Sequence, residues 1–275
     1  MAAVLFAALM HAAWNAIVKS SPDKQLDTVL VTAGAAVVSI ATLFFLPVPA
    51  PQSWGYLAAS ALIHVAYFAL VAAAYRTGDL SYVYPIMRGS APLLTAIVAG
   101  VLLAEPLGLG GWTGIVLISA GILLLAANQW RQGRFDAPQT LFALGNALVI
   151  CVYTLVDGIG TRLSGNAFSY VGWMLAFNAI LLIGVAALRR PEALVAHARA
   201  RWHLGLAGGT FTWASYAIAL WAMTQAPLAM VAALRETSVI FGTVLAAVVL
   251  KEKFGATRYA AALLVCAGAA TLKIF

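Results

Sequence analysis

The residues Leu80-Ser-Tyr-Val-Tyr-Pro-Ile-Met-Arg-Gly-Ser-Ala-Pro-Leu-Leu-Thr95 decide how the chain folds. They open an apolar run that continues to Leu103. A helix crosses a bilayer with about 20 such residues. Arg88 stands inside the run, between Pro85 and Pro92. A charge at that depth costs about 2.5–3.5 kcal/mol on insertion scales, so it faces a bundle interior or a wet cavity. The run from Pro227 to Leu250 repeats the placement, with Arg235 eight residues past its start as Arg88 is eight past Leu80.

The rest of the chain has the same solvent. Of its 275 residues, 63% are hydrophobic and 9% charged, and its mean hydropathy is +0.95. Soluble domains carry roughly a quarter charged residues. Ten apolar runs are long enough to span: about 2–18, 28–46, 54–75, 80–103, 111–128, 139–160, 167–188, 203–224, 227–250 and 256–273. Short connections rich in proline, glycine and charge separate them, and no soluble domain is expected. The first run has no small-residue cleavage site after it, so it is read as a span rather than a signal peptide.

The sequence reads as two copies of one unit. An offset of 147 places Arg88 on Arg235, Glu105 on Glu252 and Gly121 on Gly268. Near the N-terminus, Trp14-Asn15 falls on Tyr153-Thr154 at a different offset. Residues 1–128 are the first five-helix repeat, 129–138 a linker, and 139–275 the second. Five is odd, so the second copy is inverted, and a substrate site is expected near the midplane where the repeats meet. Lys19, Lys24, Arg76, Arg131, Arg134, Arg189, Arg190, Arg199, Arg201, Lys251, Lys253 and Arg258 lie on one set of connections. Only Arg162 and Lys273 lie on the other. The positive-inside rule makes the first set cytoplasmic and puts both termini outside.

Helical periodicity gathers polar and aromatic residues into stripes. Segment 4 carries Ser81, Tyr84, Arg88 and Thr95; segment 3 carries Ser60, His64 and Tyr67. Segment 1 adds His11, Trp14 and Asn15, segment 6 Asn146, Tyr153 and Asp157, segment 7 Tyr170 and Asn178, and segment 8 Trp213 and Tyr216. Arg88 either meets a substrate or clamps helix carbonyls. Arg235 either joins it or is neutralised by Glu236 or Asp157. Of the two, Arg88 has no adjacent acid and is the better candidate for a substrate carboxylate. His64 is a substrate contact or a satisfied polar group between helices; the aromatics line a cavity or pack helices. Pro85 and Pro92 are read as a hinge. Glu105 and Glu252 sit at helix ends, where a capping role is expected.

Other chemistries lack their signals. There is no HExxH, no GxSxG with partners and no Walker A, so no catalytic residue is assigned. No metal cluster occurs, no cofactor is expected, and Cys151 and Cys266 read as small buried residues. The net charge of +7 is scattered over segment ends, which gives no patch for nucleic acid.

The chain resembles the drug/metabolite transporter superfamily in its EamA-type, ten-helix branch. The five-plus-five repeat carries the resemblance, with Trp14-Asn15 and Lys19 on segment 1, Glu105 and Glu252 after segments 4 and 9, and Gly114 with Gly121 on segment 5. It departs at Asn15, where a glycine is common, and at Ala261 on segment 10. Within the branch it is most similar to amino-acid exporters of the YddG type, aromatic amino acids included. The resemblance implies an all-α basket of ten helices around a cavity from segments 3, 4, 8 and 9 with parts of 1 and 6. It also implies a multi-pass protein of the bacterial inner membrane that exports amino acids by alternating access. The alternatives are another exported solute (a nucleobase, a sugar phosphate or a drug) and a membrane protein that transports nothing. The expected partners are a small-molecule substrate and the lipid bilayer; two halves in one chain make a monomer sufficient. Some members of the branch keep both termini in the cytoplasm, against the charge count here.

Overall fold

The computed structural model describes residues 1–77, 80–131, 136–250 and 255–274. Its helices are α1 (Ala2–Lys19), α2 (Lys24–Leu43), α3 (Trp54–Thr77), α4 (Leu80–Leu102), α5 (Leu109–Arg131) and α6 (Ala137–Leu163), then α7 (Ala167–Arg189), α8 (Pro191–Met223), α9 (Leu228–Arg235), α10 (Ser238–Leu250) and α11 (Ala256–Ile274). A 3-10 turn, Pro51–Ser53, precedes α3. No strand occurs among the described residues. Eight stretches there are long and apolar enough to cross a membrane: α1, α2, α4, α5, α6, α7, α9 continued into α10, and α11. α3 and α8 stand where the third and eighth spans are expected.

Local chemistry sets the helix ends. The Asp23 carboxylate accepts from the Leu26 amide at 3.0 Å and starts α2. Asn166 does the same for α7 through the Ser169 amide, just after Gly165 turns the chain with a φ of +76°. Pro191 opens α8 at its first turn, where its missing N–H has no partner to lose.

Two elements differ from the sequence expectation. Segment 8 starts at Pro191 rather than near 203, because the polar stretch before the span is itself helical. That stretch joins the spanning part at Arg201, whose φ of −131° and ψ of 15° are not helical. Segment 9 is not one helix but two, α9 and α10. The Thr237 hydroxyl takes the Leu234 carbonyl at 2.7 Å, and the amides of Glu236, Thr237, Val239 and Ile240 bond three residues back. A side chain competing for a backbone acceptor tightens the turn in this way. α4, which carries both prolines, runs unbroken from Leu80 to Leu102.

The chain forms two compact units. The first comprises residues 66–156 and 225–275 with Met1, the second 2–65 and 157–224, so the boundaries fall inside α3 and α6. Each unit draws helices from both sequence repeats.

In the first unit α5 packs on α4 and α11. Glycines permit the α5–α11 contact. A Cβ on Gly114 would lie 3.0 Å from the Gly268 carbonyl oxygen, and one on Gly121 2.8 Å from that of Ala261. The two helices therefore run antiparallel. The offset of 147 carries Gly114 onto position 261 and Gly121 onto 268, so it exchanges one contact for the other. In the second unit α2 packs on α7 and α8, and α1 on α8. Here a Cβ on Gly34 would meet the Gly205 oxygen at 2.1 Å. Near α3's start, the Trp54 ring lies 5.3 Å from that of Trp173.

Candidate functional site

The first unit gathers Tyr67, Tyr84, Arg88, Tyr153 and Arg235, all candidates from the sequence. Arg88, on α4, is 5% exposed, and Arg235, the last residue of α9, 8%. Both line one cavity with Ala91, Pro92, Thr95, Tyr153 and Glu236. The Arg88 guanidinium carbon is 6.0 Å from the centre of the Tyr84 ring. Tyr67 and Tyr153 meet edge to face at 5.7 Å. Ser81, the first residue of the segment 4 stripe, has no described side chain.

The expectation that Arg88 lacks an acid is overturned. Its Nε lies 2.8 Å from Glu236 Oε2, and both side chains are 6% exposed. Adjacent residues of a helix point about 100° apart, so Glu236 does not turn onto Arg235. It caps the end of α9 and reaches the neighbouring α4 instead. The cavity lining therefore carries two arginines and one glutamate.

Glu105 is placed as expected of a cap, but on a helix far along the chain. Its Oε2 accepts from the Leu228 amide at 2.8 Å, an orphan donor at the start of α9 that Pro227 offers no side chain to satisfy. Glu252 lies outside the described residues.

The second unit holds the other candidates: His11, Trp14, Asn15, His64, Asn178, Trp213 and Tyr216. On α1, the Asn15 amide donates to the His11 carbonyl at 2.8 Å, and Trp14 Nε1 to His11 Nδ1 at 3.4 Å. His64 Nδ1 lies 2.9 Å from the Ser60 carbonyl oxygen, which only accepts, so Nδ1 carries the proton. In the neutral ring Nε2 then accepts from the Tyr216 hydroxyl at 3.4 Å. Trp213 stacks on Phe168, and Asn178 is 5% exposed. Asp157, expected near an interface, is 1% exposed and accepts from the Tyr170 hydroxyl at 3.3 Å.

One cluster escapes the sequence reading. Asp27 Oδ2 accepts from Arg201 Nη2 at 2.7 Å and Oδ1 from Arg201 Nε at 3.0 Å, while His197 Nε2 also bonds Oδ1. The i, i+4 spacing of His197 and Arg201 was the available signal; it needed the stretch to be helical. Nearby, Arg190 pairs with Asp23 at 2.8 Å. Partial burial raises the Asp23 carboxyl, but the Leu26 amide and Arg190 outweigh it and hold its pKa below the ordinary value.

A larger cavity in the first unit, about 170 Å³, lies among α5, α10 and α11. Its lining is nearly all apolar, with Arg258 and Tyr259, and includes none of the candidate residues. Among the described residues no group of His, Cys, Asp and Glu stands together as a metal site.

The sequence model of the EamA-like transporter family matches residues 1–127 and 138–273. The chain belongs to the EamA-like transporter family. It is a multi-pass membrane transporter of small solutes. No curated protein matches it. Among solved structures, a crystal structure 18% identical superposes with a TM-score of 0.75 over 99% of this chain and 94% of the other. At that identity the likeness shows a shared fold alone. The EamA-like match comes in two halves.

Proposed function

We propose that this EamA-like transporter exports amino acids, aromatic ones included, across a bacterial inner membrane by alternating access, as exporters of the YddG type do. The observation that carries the reading is the buried cavity lined by Arg88, Arg235 and Glu236. A carboxylate is the natural partner of a guanidinium in such a lining. Tyr84 beside Arg88 and Tyr67 against Tyr153 supply apolar faces for a side chain and π-faces for an ammonium. With two repeats read in one chain, a monomer suffices.

A sugar phosphate is the second reading. Its dianion asks for two unneutralised cations, and Glu236 already engages Arg88, so the monocarboxylate is favoured. The test is uptake of labelled amino acids into proteoliposomes, wild type against Arg88→Ala. Uptake well above empty liposomes, lost in Arg88→Ala, is expected. Rates equal to empty liposomes across a broad amino-acid panel would sink the reading.

A further inference from the structure

We propose that the cavity among α5, α10 and α11 is a binding site for an anionic phospholipid, with part of one acyl chain inside it and the phosphate on Arg258. This stands apart from the reading of the solute, because none of the residues that line it belongs to the Arg88 cavity.

Size and lining say what fits. The cavity measures about 170 Å³. An apolar protein cavity of about 150 Å³ stays dry and takes up benzene, so there is room here for about six carbons of a chain. Ile122 and Leu125 of α5, Ile240 and Val244 of α10, and Ala262 and Val265 of α11 line it. The Thr243 hydroxyl, also in the lining, is spent within its own helix on the Val239 carbonyl at 2.7 Å. An ammonium or a sugar hydroxyl buried against such walls loses its hydrogen bonds with water; a hydrocarbon has none to lose. The floor is made of small residues. A Cβ on Gly121 would lie 2.8 Å from the Ala261 carbonyl oxygen, so α5 and α11 close there, and the short side chains of Ala261 and Ala262 leave the space beside them open.

The opening faces lipid. Val244 of α10 is 48% exposed and Tyr259 of α11 60%, so the cavity reaches the surface between these helices. α5, α10 and α11 all lie in stretches long and apolar enough to cross a membrane. A helix of a second chain is about 10–12 Å across, too wide to enter; an acyl chain is not.

One end of the cavity is charged. Arg258, in the first turn of α11, lines it and is exposed. A guanidinium matches a phosphate with two parallel bonds. It carries five N–H donors, so a phosphate binds beside any other contact Arg258 makes. Tyr259 adds an amphipathic ring at headgroup depth, as aromatic belts do. α10 runs toward the connection from which α11 starts, so Arg258 marks one end of the cavity, and Val239 and Ile240 the other. The amides of those two residues take the Glu236 and Thr237 carbonyls. A chain hung from Arg258 therefore packs against the turn that separates α9 from α10, and its binding is expected to stabilise the fold.

The experiment titrates the purified full chain in detergent with dioleoyl phosphatidylglycerol. One-to-one binding is read by native mass spectrometry, and stabilisation from the thermal unfolding midpoint. Dioleoyl phosphatidylcholine adds a cation to the headgroup, dioleoylglycerol lacks the phosphate, and glycerophosphoglycerol lacks the chains. The wild type is expected to bind phosphatidylglycerol tightest and glycerophosphoglycerol least. Arg258→Gln is expected to weaken phosphatidylglycerol about tenfold, the scale of one charge-assisted hydrogen bond, and to leave dioleoylglycerol unchanged. Ala262→Phe fills the cavity and is expected to weaken both, since each buried methylene is worth about fourfold in affinity. The proposal is overturned if the wild type binds phosphatidylglycerol and phosphatidylcholine equally, or if Arg258→Gln loses nothing. It is also overturned if Ala262→Phe, unfolding at the wild-type midpoint without lipid, binds phosphatidylglycerol as the wild type does. Should Ala262→Phe not fold, Val244→Trp, which narrows the opening from its exposed side, decides the same question. Glycerophosphoglycerol binding as tightly as the lipid would mark a site for a free phosphate. A lipid-free dimer dissolved by Ala262→Phe would mark an interface between copies. Either result rejects the lipid.

Discussion

Arg88 and Glu236 show how much a single buried charge depends on its partner. Removing one member of a buried pair strands the other and costs about 3–5 kcal/mol, whereas replacing both with apolar residues is often neutral. Arg88→Met is therefore expected to lower the unfolding midpoint sharply, and Arg88→Met with Glu236→Leu to recover most of the loss, as measured by thermal unfolding in detergent. Sequence made the burial of Arg88 legible, because an arginine within an apolar run has few places to go. It did not make the pairing legible, since the partner lies on another helix while the nearer arginine, Arg235, looked like the obvious mate. Glu105 teaches the same lesson with the opposite outcome. A capping role was readable from its place at a helix end, but the capped helix, α9, begins more than a hundred residues later. Asp23 adds a pH dependence. Its folded pKa lies below the ordinary value, so it contributes stability above that ordinary value. The contribution is lost as pH falls through the lower, folded pKa. Asp23→Asn is expected to flatten the acid limb of stability against pH, as read from unfolding midpoints over an acid series.

At the scale of elements, propensity and outcome part company on two helices. α4 has two prolines and stays whole; α9 and α10 have none and are separate. Prolines in a membrane helix remove amide donors, but packed neighbours restrain the bend. The break after Arg235 comes from Thr237 taking the Leu234 carbonyl, a competition that hydropathy does not register. The extra twelve residues at the start of α8, 191–202, were hidden for the opposite reason. Glu192, His197 and Arg199 make them too polar for a span, so they read as a loop. What holds them is tertiary: Asp27, 1% exposed, takes both His197 and Arg201. Asp27→Asn removes that anchor. Amide hydrogen exchange over residues 191–200 is expected to speed up, with α2 and the spanning part of α8 little changed. Equal acceleration throughout the second unit would show instead that Asp27 supports the whole packing.

The sequence reading makes the two halves of the chain repeats, and that reading carries testable equivalences. The Glu105–Leu228 contact, moved by the offset of 147, becomes Glu252 with the amide of residue 81 (228 maps back to 81). A capping side chain is worth about 1 kcal/mol, so Glu105→Ala and Glu252→Ala are expected to lower the unfolding midpoint by similar amounts. A silent Glu252→Ala would break the equivalence. Orientation is the other property of the whole, and here the second unit sharpens what the charge count alone gives. Asp23 and Asp27, at the start of α2, bond Arg190 and Arg201 between α7 and the spanning part of α8. The α1–α2 and α7–α8 connections therefore share one end of that unit. That end holds Lys19, Lys24, Arg189, Arg190, Arg199 and Arg201. The end where α6 finishes holds Arg162, which donates to the Met223 carbonyl at 2.8 Å. Acidic residues contribute little to orientation, so the two aspartates do not cancel the bias. The expectation is a cytoplasmic basic end with both termini outside. In a chain freed of Cys151 and Cys266, single cysteines at the exposed positions Ser20 and Leu163 report the two ends. A membrane-impermeant maleimide applied to intact cells is expected to label Leu163→Cys and spare Ser20→Cys, and to reverse that preference in inside-out vesicles. The opposite pattern would place the termini in the cytoplasm and show that the arginines of the α7–α8 connection do not set the topology.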